Sequence, residues 1–132
     1  MKKLKDKFEK FQLAYSRLKE ACSDPIVSDR DQAGVVQTFE FTYEMSWKLL
    51  KAVLEYEGVS SETTARAIFN SAYANNFIDS EEIWLKMIAD RNLTNHTYDQ
   101  ETANSVVSNI QNEYLNIFGK LNDFITKKYP ST

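Results

Sequence analysis

The sequence predicts an all-α protein, an antiparallel helical bundle of four to five helices, three long and two short, in a single domain over residues 1–132. Apolar residues recur at spacings of three and four along nearly the whole chain, the period of one helix face. Breakers are scarce, with three Gly and two Pro in 132 residues, which favours long helices over a many-turned β fold. A hydrophobic fraction of 42% over this length is enough for one real core.

The elements follow in order. From Leu4 the apolar stripe runs through Phe8, Phe11, Tyr15, Leu18 and Cys22, and the Pro25-containing segment Ser23 to Asp29 closes that first helix. A second, longer helix is expected from about Asp31 to Glu57, with Val36, Phe39, Tyr43, Trp47, Leu50 and Leu54 on its apolar face and Gly58 as its stop. Ser60 and Ser61 are candidate caps for a short third helix carrying Ala65, Ile68, Phe69 and Ala72, which ends at Asn75 and Asn76. Ser80 followed by Glu81 and Glu82 opens a fourth helix, since a hydroxyl cap and early acids suit a helix N-terminus. It presents Ile83, Trp84, Met87 and Ile88 and reaches Arg91. The last helix starts near Asp99 and carries Ala103, Val106, Ile110, Tyr114, Ile117, Leu121, Phe124 and Ile125, with Lys127 and Lys128 at the end where the dipole favours cations.

A net charge of −3 and a pI near 5.2 argue against bulk, sequence-blind nucleic-acid binding, which needs a broadly basic surface. A small local basic site remains compatible. Cys22, the single cysteine, has no partner for an internal disulfide and reads as a small hydrophobe near a helix end in a reducing interior. No apolar run follows Met1 and no stretch is long enough for a bilayer. A soluble, cytoplasmic protein with no membrane partner is expected.

Reactive chemistry concentrates between Arg91 and Tyr98, in the octet R-N-L-T-N-H-T-Y, which holds the only histidine, His96. Histidine titrates near neutrality, arginine is a fixed cation suited to phosphate, and tyrosine offers a hydroxyl. On one continuous helix, residues five apart diverge by about 140°, so Arg91 and His96 converge only if the helix ends between them. Asn92, Thr94 and Asn95 favour such an ending, and Thr97 with Gln100, or Asp99 alone, would cap the next helix. The octet is therefore expected at a helix–turn–helix elbow. By spacing alone a structural role is the stronger reading: Arg91 pairing with Asp90 or Asp99, His96 meeting a buried carbonyl, Tyr98 packing at a helix start.

The stretch R-D-Q-A-G-V-V-Q-T-F-E-F-T-Y-E-M-S-W-K-L-L-K (Arg30 to Lys51) resembles the signature of the nucleotidyltransferase substrate-binding protein family, small helical partners of minimal nucleotidyltransferases within the broader HEPN superfamily. The resemblance continues in A-R-A-I-F-N-S-A-Y (Ala65 to Tyr73), in W-L-K-M-I-A-D-R-N (Trp84 to Asn92) and in H-T-Y (His96 to Tyr98), and covers roughly Arg30 to Ile125. HEPN proteins share an R-x-x-x-x-H element, here Arg91 to His96, extended to H-x-Y in HepT-type toxins. Asn92 matches the polar residue that follows the HEPN arginine.

The resemblance implies a HEPN-like bundle, a homodimer whose Arg–His elbows face a shared cleft, and in active relatives RNA cleavage without metal. His96 then moves the proton of a ribose 2′-OH or of the leaving 5′-oxygen, Arg91 holds the scissile phosphate, and Asn92 orients either group. The implied partner is a minimal nucleotidyltransferase that transfers adenylate from ATP to Tyr98, placing bulk and charge at the cleft. In the older view of the family the chain is instead a non-catalytic subunit that binds nucleotide or substrate. Neither view calls for a bound cofactor or a metal.

Glu40, Glu44 and Lys48 fall at i, i+4 and i+8 beside the aromatic row Phe39, Tyr43 and Trp47. Spaced carboxylates suit metals in bundles, but the companion E-x-x-H is absent, so a solvated or interface face with Glu44–Lys48 pairing is expected. Glu40, Tyr43, Glu44 and Trp47 are also candidates to line the cleft or touch the partner. Gly119, inside the last helix, marks either a close helix–helix or dimer contact or a tolerated glycine. The run K-K-L-K-D-K (Lys2 to Lys7) reads as a solvated helix start, or as the local basic surface an acidic RNA binder needs.

Overall fold

A computed structural model of the chain describes residues 1–94 and 99–130, which form helices α1 (Lys2–Ser23), α2 (Asp29–Tyr56), α3 (Ala65–Ala74), α4 (Glu81–Leu93), α5 (Gln100–Asn109) and α6 (Leu115–Lys128). A π-helical turn, Ile110–Tyr114, joins α5 to α6, so these two elements are one long rod. Counted that way, three long and two short helices are present among the described residues. No helix there is long and apolar enough to cross a membrane.

α1 and α2 lie side by side and supply much of the core: Leu4, Phe11, Ala14 and Leu18 from α1, Phe39, Leu49, Leu50 and Val53 from α2. Their close approach depends on small polar residues. The buried Thr42 hydroxyl donates to its own helix at Thr38 O (2.8 Å) and reaches Ala14 O of α1 (3.2 Å). The buried Ser46 hydroxyl donates to Tyr43 O at 2.6 Å. Both hydroxyls are satisfied, so their burial costs little. An aromatic cluster closes the centre. Phe39 stacks on Tyr114 at 5.4 Å, Phe118 meets Phe11 and Trp84 edge-on, and Trp84 lies 4.8 Å from Phe69.

Helix ends explain where the segments stop and start. Ser28 caps α2 in a full capping box, its hydroxyl accepting from Asp31 N while Asp31 accepts from Ser28 N. The helix thus begins at Asp29, two residues before the expected Asp31. Gly58 takes φ 68° just beyond the end of α2, a left-handed conformation that glycine adopts at no steric cost. Thr64, rather than Ser60 or Ser61, caps α3, and Ser60 spends its hydroxyl on Glu62 N instead. Ser80 caps α4 and Asp99 caps α5 as expected. The α2 face is also turned slightly from the predicted stripe, because Val35 is buried while Val36 and Trp47 are only partly so.

Gly119 marks a close approach within the chain. A Cβ there would lie 2.7 Å from the Tyr15 hydroxyl on α1. Lys2, Lys3 and Lys5 are exposed at the start of α1, and Lys3 pairs with Glu55 at 3.3 Å.

Candidate functional site: the arginine elbow

α4 delivers Arg91 to the junction with α2. Trp84 and Met87 bury one face of α4, and the cap of the helix comes from its own end: the Thr94 hydroxyl donates to Arg91 O at 2.7 Å and accepts from Arg91 Nη1 at 3.5 Å. Asp99 then starts α5, accepting from Glu101 N and from the Thr102 hydroxyl. The helix does end after Arg91, as an elbow requires. His96 and Tyr98 stand between the two ends in sequence and lie outside the described residues, as do Asn95 and Thr97. Asn92 is exposed.

Arg91 faces the carboxylates of α2. Its Nη1 lies 3.7 Å from Glu40 Oε2 and its Nε 3.8 Å from Glu44 Oε1, with 23% of the arginine side chain exposed. Neither Asp90 nor Asp99 provides these ion pairs. Glu44 accepts from Trp47 Nε1 at 3.0 Å, which fixes its second oxygen. Lys48 sits over the Trp47 ring at 5.8 Å, so the expected Glu44–Lys48 pair gives way to Arg91 on one side and an aromatic face on the other. Two carboxylates one helical turn apart thus converge on a single guanidinium.

Tyr43 sits beneath this cluster, 4% exposed. Burial and the neighbouring Glu44 push its phenol up to about 12, against the opposing pull of Arg91 and Arg66. It stays protonated at physiological pH. Of the residues expected to line a cleft, Glu40 and Glu44 are partly exposed beside Arg91, Trp47 is partly exposed and bonded to Glu44, and Tyr43 is core. Among the described residues no cluster of His, Cys, Asp and Glu is arranged to hold a metal ion.

A groove of about 390 Å³ runs from this point along α2 and α5, between Gln32, Val36 and Glu40 on one side and Thr94, Asp99 and Gln100 on the other. Three amides bridge it: Gln32 donates to Asn104 at 2.6 Å, and Gln100 donates to Gln32 at 2.6 Å and to Asn104 at 2.9 Å.

Asp90, one of two sequence neighbours offered as a partner for Arg91, is engaged elsewhere. It is 8% exposed and turned away from Arg91, accepting from the Tyr114 hydroxyl at 2.5 Å and from Asn109 Nδ2 at 2.9 Å. The signal was present in the sequence, since Asp90 continues the register of Trp84 and Met87 at steps of three. A charged residue in a buried register needs partners.

The bundle has a fold shared with solved structures. Across 94% of this chain it matches a Shewanella oneidensis HEPN toxin, tri-AMPylated and in complex with MNT antitoxin, with a TM-score of 0.77 over 96% of that chain and 17% identity. The sequence profile described as nucleotidyltransferase substrate binding protein like matches residues 6–127, and the chain belongs to that family. A Haemophilus influenzae structure, described as revealing the fold of a substrate binding domain of a nucleotidyltransferase, is 28% identical, with a TM-score of 0.67 over 91% of this chain and 94% of that one. A curated Haemophilus influenzae protein named "Probable ribonuclease HepT" is 35% identical over 89 residues. That alignment covers 64% of this chain, which spans about three-fifths of the relative's length.

Proposed function

We propose that the chain is a HEPN-type toxin, a metal-independent endoribonuclease whose working residues are Arg91 and His96 with Asn92 beside them, held in check by a minimal nucleotidyltransferase partner in the cytoplasm. The observation that carries this reading is the arginine: it stands in the last turn of α4 beside an open groove, paired with two carboxylates, five residues before the only histidine. Family membership and the ribonuclease name of a relative support it.

The chemistry needs only side chains. His96 takes the proton of a ribose 2′-OH, whose oxygen attacks the adjacent phosphorus. Arg91 holds the phosphate oxygens and stabilises the charge that builds on them. The bond to the 5′-oxygen breaks, that oxygen is protonated, and a 2′,3′-cyclic phosphate remains. One histidine per chain does not easily serve as both base and acid, so a homodimer supplies the second. The partner would transfer adenylate from ATP to the Tyr98 phenol oxygen with release of pyrophosphate, setting a bulky anion beside Arg91.

Solo expression tests the proposal. Growth arrest by the wild-type chain, relieved by His96→Ala and by co-expression of the nucleotidyltransferase, is the expected result. The description of the family favours a second reading, a non-catalytic subunit that binds nucleotide or substrate for its partner. That reading predicts no arrest and nucleotide binding by the complex.

A further inference from the structure

We propose that Asp90, Tyr114 and Asn109 form a positioning cluster that sets the rotation of α4 and so the angle at which it presents Arg91, with the π-helical turn of the last helix as the device that assembles it. The proposal rests on reading Arg91 as the phosphate-binding residue.

Asn109 and Tyr114 are five residues apart. On a regular α-helix they would diverge by about 140° and could not share one small acceptor. The chain closes a wider turn here, with Leu115 N–H donating to Ile110 O, five residues back. The extra residue brings both side chains to the Asp90 carboxylate, and both bonds end on the same oxygen, Oδ2. A wide turn of this kind is rare and recurs at functional sites.

Holding the helices together does not require this arrangement. Trp84, Met87, Ile110 and Phe118 already pack there with almost no exposure, and apolar replacement of buried charged groups is often neutral or stabilising. A carboxylate satisfied by two donors does what packing does less well, fixing a direction at hydrogen-bond precision. Successive residues on α4 project about 100° apart. Fixing Asp90 toward the last helix therefore sends Arg91 toward Glu40 and Glu44 on α2, and a small rotation at Asp90 is amplified at the tip of the long arginine side chain.

The test compares Tyr114→Phe, Asp90→Asn, Asp90→Leu and the double variant Asp90→Leu/Tyr114→Phe with wild type. Ile125→Val, a packing change elsewhere on the last helix, is the stability control. RNA cleavage is read as kcat and KM beside melting temperature, and the Arg91 Nε–H resonance is followed by NMR. Tyr114→Phe and the double variant should lower kcat by about tenfold to a hundredfold, the cost of a small misplacement, with KM little changed. The double variant should do so without a matching loss in melting temperature. Asp90→Asn keeps an acceptor oxygen and should lose less than Asp90→Leu. Unchanged kcat in Tyr114→Phe, or kcat that merely tracks melting temperature across the set, overturns the proposal. If wild-type protein cleaves no RNA, the ribonuclease reading fails separately. The Arg91 resonance then decides: a shift in Tyr114→Phe and not in Ile125→Val sustains the positioning role, and an unmoved resonance overturns it.

Discussion

Arg91 on α4 is shared by Glu40 and Glu44 on α2, at 3.7 and 3.8 Å. The carboxylates hold the guanidinium in place, yet they compete with any phosphate for it. Both carboxylates are partly exposed, so each pair is screened and worth at most about 1 kcal/mol. Replacing Glu40 with Gln removes one competing charge while Glu44 keeps the arginine in place. Under the ribonuclease reading, Glu40→Gln should tighten RNA binding by up to about fivefold at low salt, and the gain should shrink as salt rises. Titration of labelled RNA at two ionic strengths measures it. Equal or weaker binding by Glu40→Gln at low salt would remove competition from the account.

Gly119 opposes Tyr15 across the α1–α6 contact, and the clash a methyl group would meet is with the hydroxyl, the ring carbon behind it being 3.6 Å away. In the wild-type background, Gly119→Ala should cost about 1 kcal/mol, overpacking outweighing the gain in helix propensity. With Tyr15→Phe the hydroxyl is gone, and the same substitution should stabilise by up to about 1 kcal/mol. Urea denaturation of the four proteins in the cycle gives both values. The same sign in both backgrounds would show that the contact does not set the choice of glycine.

The first turn of α2 should be sensitive to acid. Hydrogen bonds from Val27 N–H and within the Ser28 capping box hold the Asp31 carboxyl below the usual aspartate range. A carboxylate with a lowered folded pKa stabilises the fold above its unfolded value, near 4, and that contribution disappears as pH falls through the folded value. Amide exchange at the start of α2 should quicken relative to the core below about pH 4, and Asp31→Asn should flatten this dependence. Ser28→Ala should cost about 1 kcal/mol at neutral pH, whereas Ser60→Ala, at a residue that caps no helix, should be nearly silent.

The bundle was readable because periodicity reports burial, and burial of Phe11, Phe39, Ile110 and Leu121 is what the stripes encode. Caps were less readable. Ser60, Ser61 and Thr64 are all competent by residue type, and only the path of the chain into α3 selects Thr64. The wide turn at Ile110–Tyr114 leaves no mark in the apolar pattern, since Ile110, Tyr114 and Ile117 fit an ordinary helix as well. Arg91 was legible as a chemical group, but its partners were sought among sequence neighbours and came from α2, about fifty positions earlier. Asp90, offered only as a possible neighbour for Arg91, was not legible as a buried acceptor for the same reason. Its donors lie on the last helix, and the acceptor geometry they share depends on the turn that periodicity conceals.

The central claim, that this chain cleaves RNA at Arg91 and His96 without a metal, is tested most directly by incubating RNA in EDTA with protein expressed without its partner, beside His96→Ala. Intact mass first establishes that Tyr98 carries no adenylate. The account predicts cleavage by the wild-type chain, with 2′,3′-cyclic phosphate ends, and none by His96→Ala. Absence of cleavage by unmodified dimer across a broad set of RNAs, or equal cleavage by His96→Ala, would contradict it.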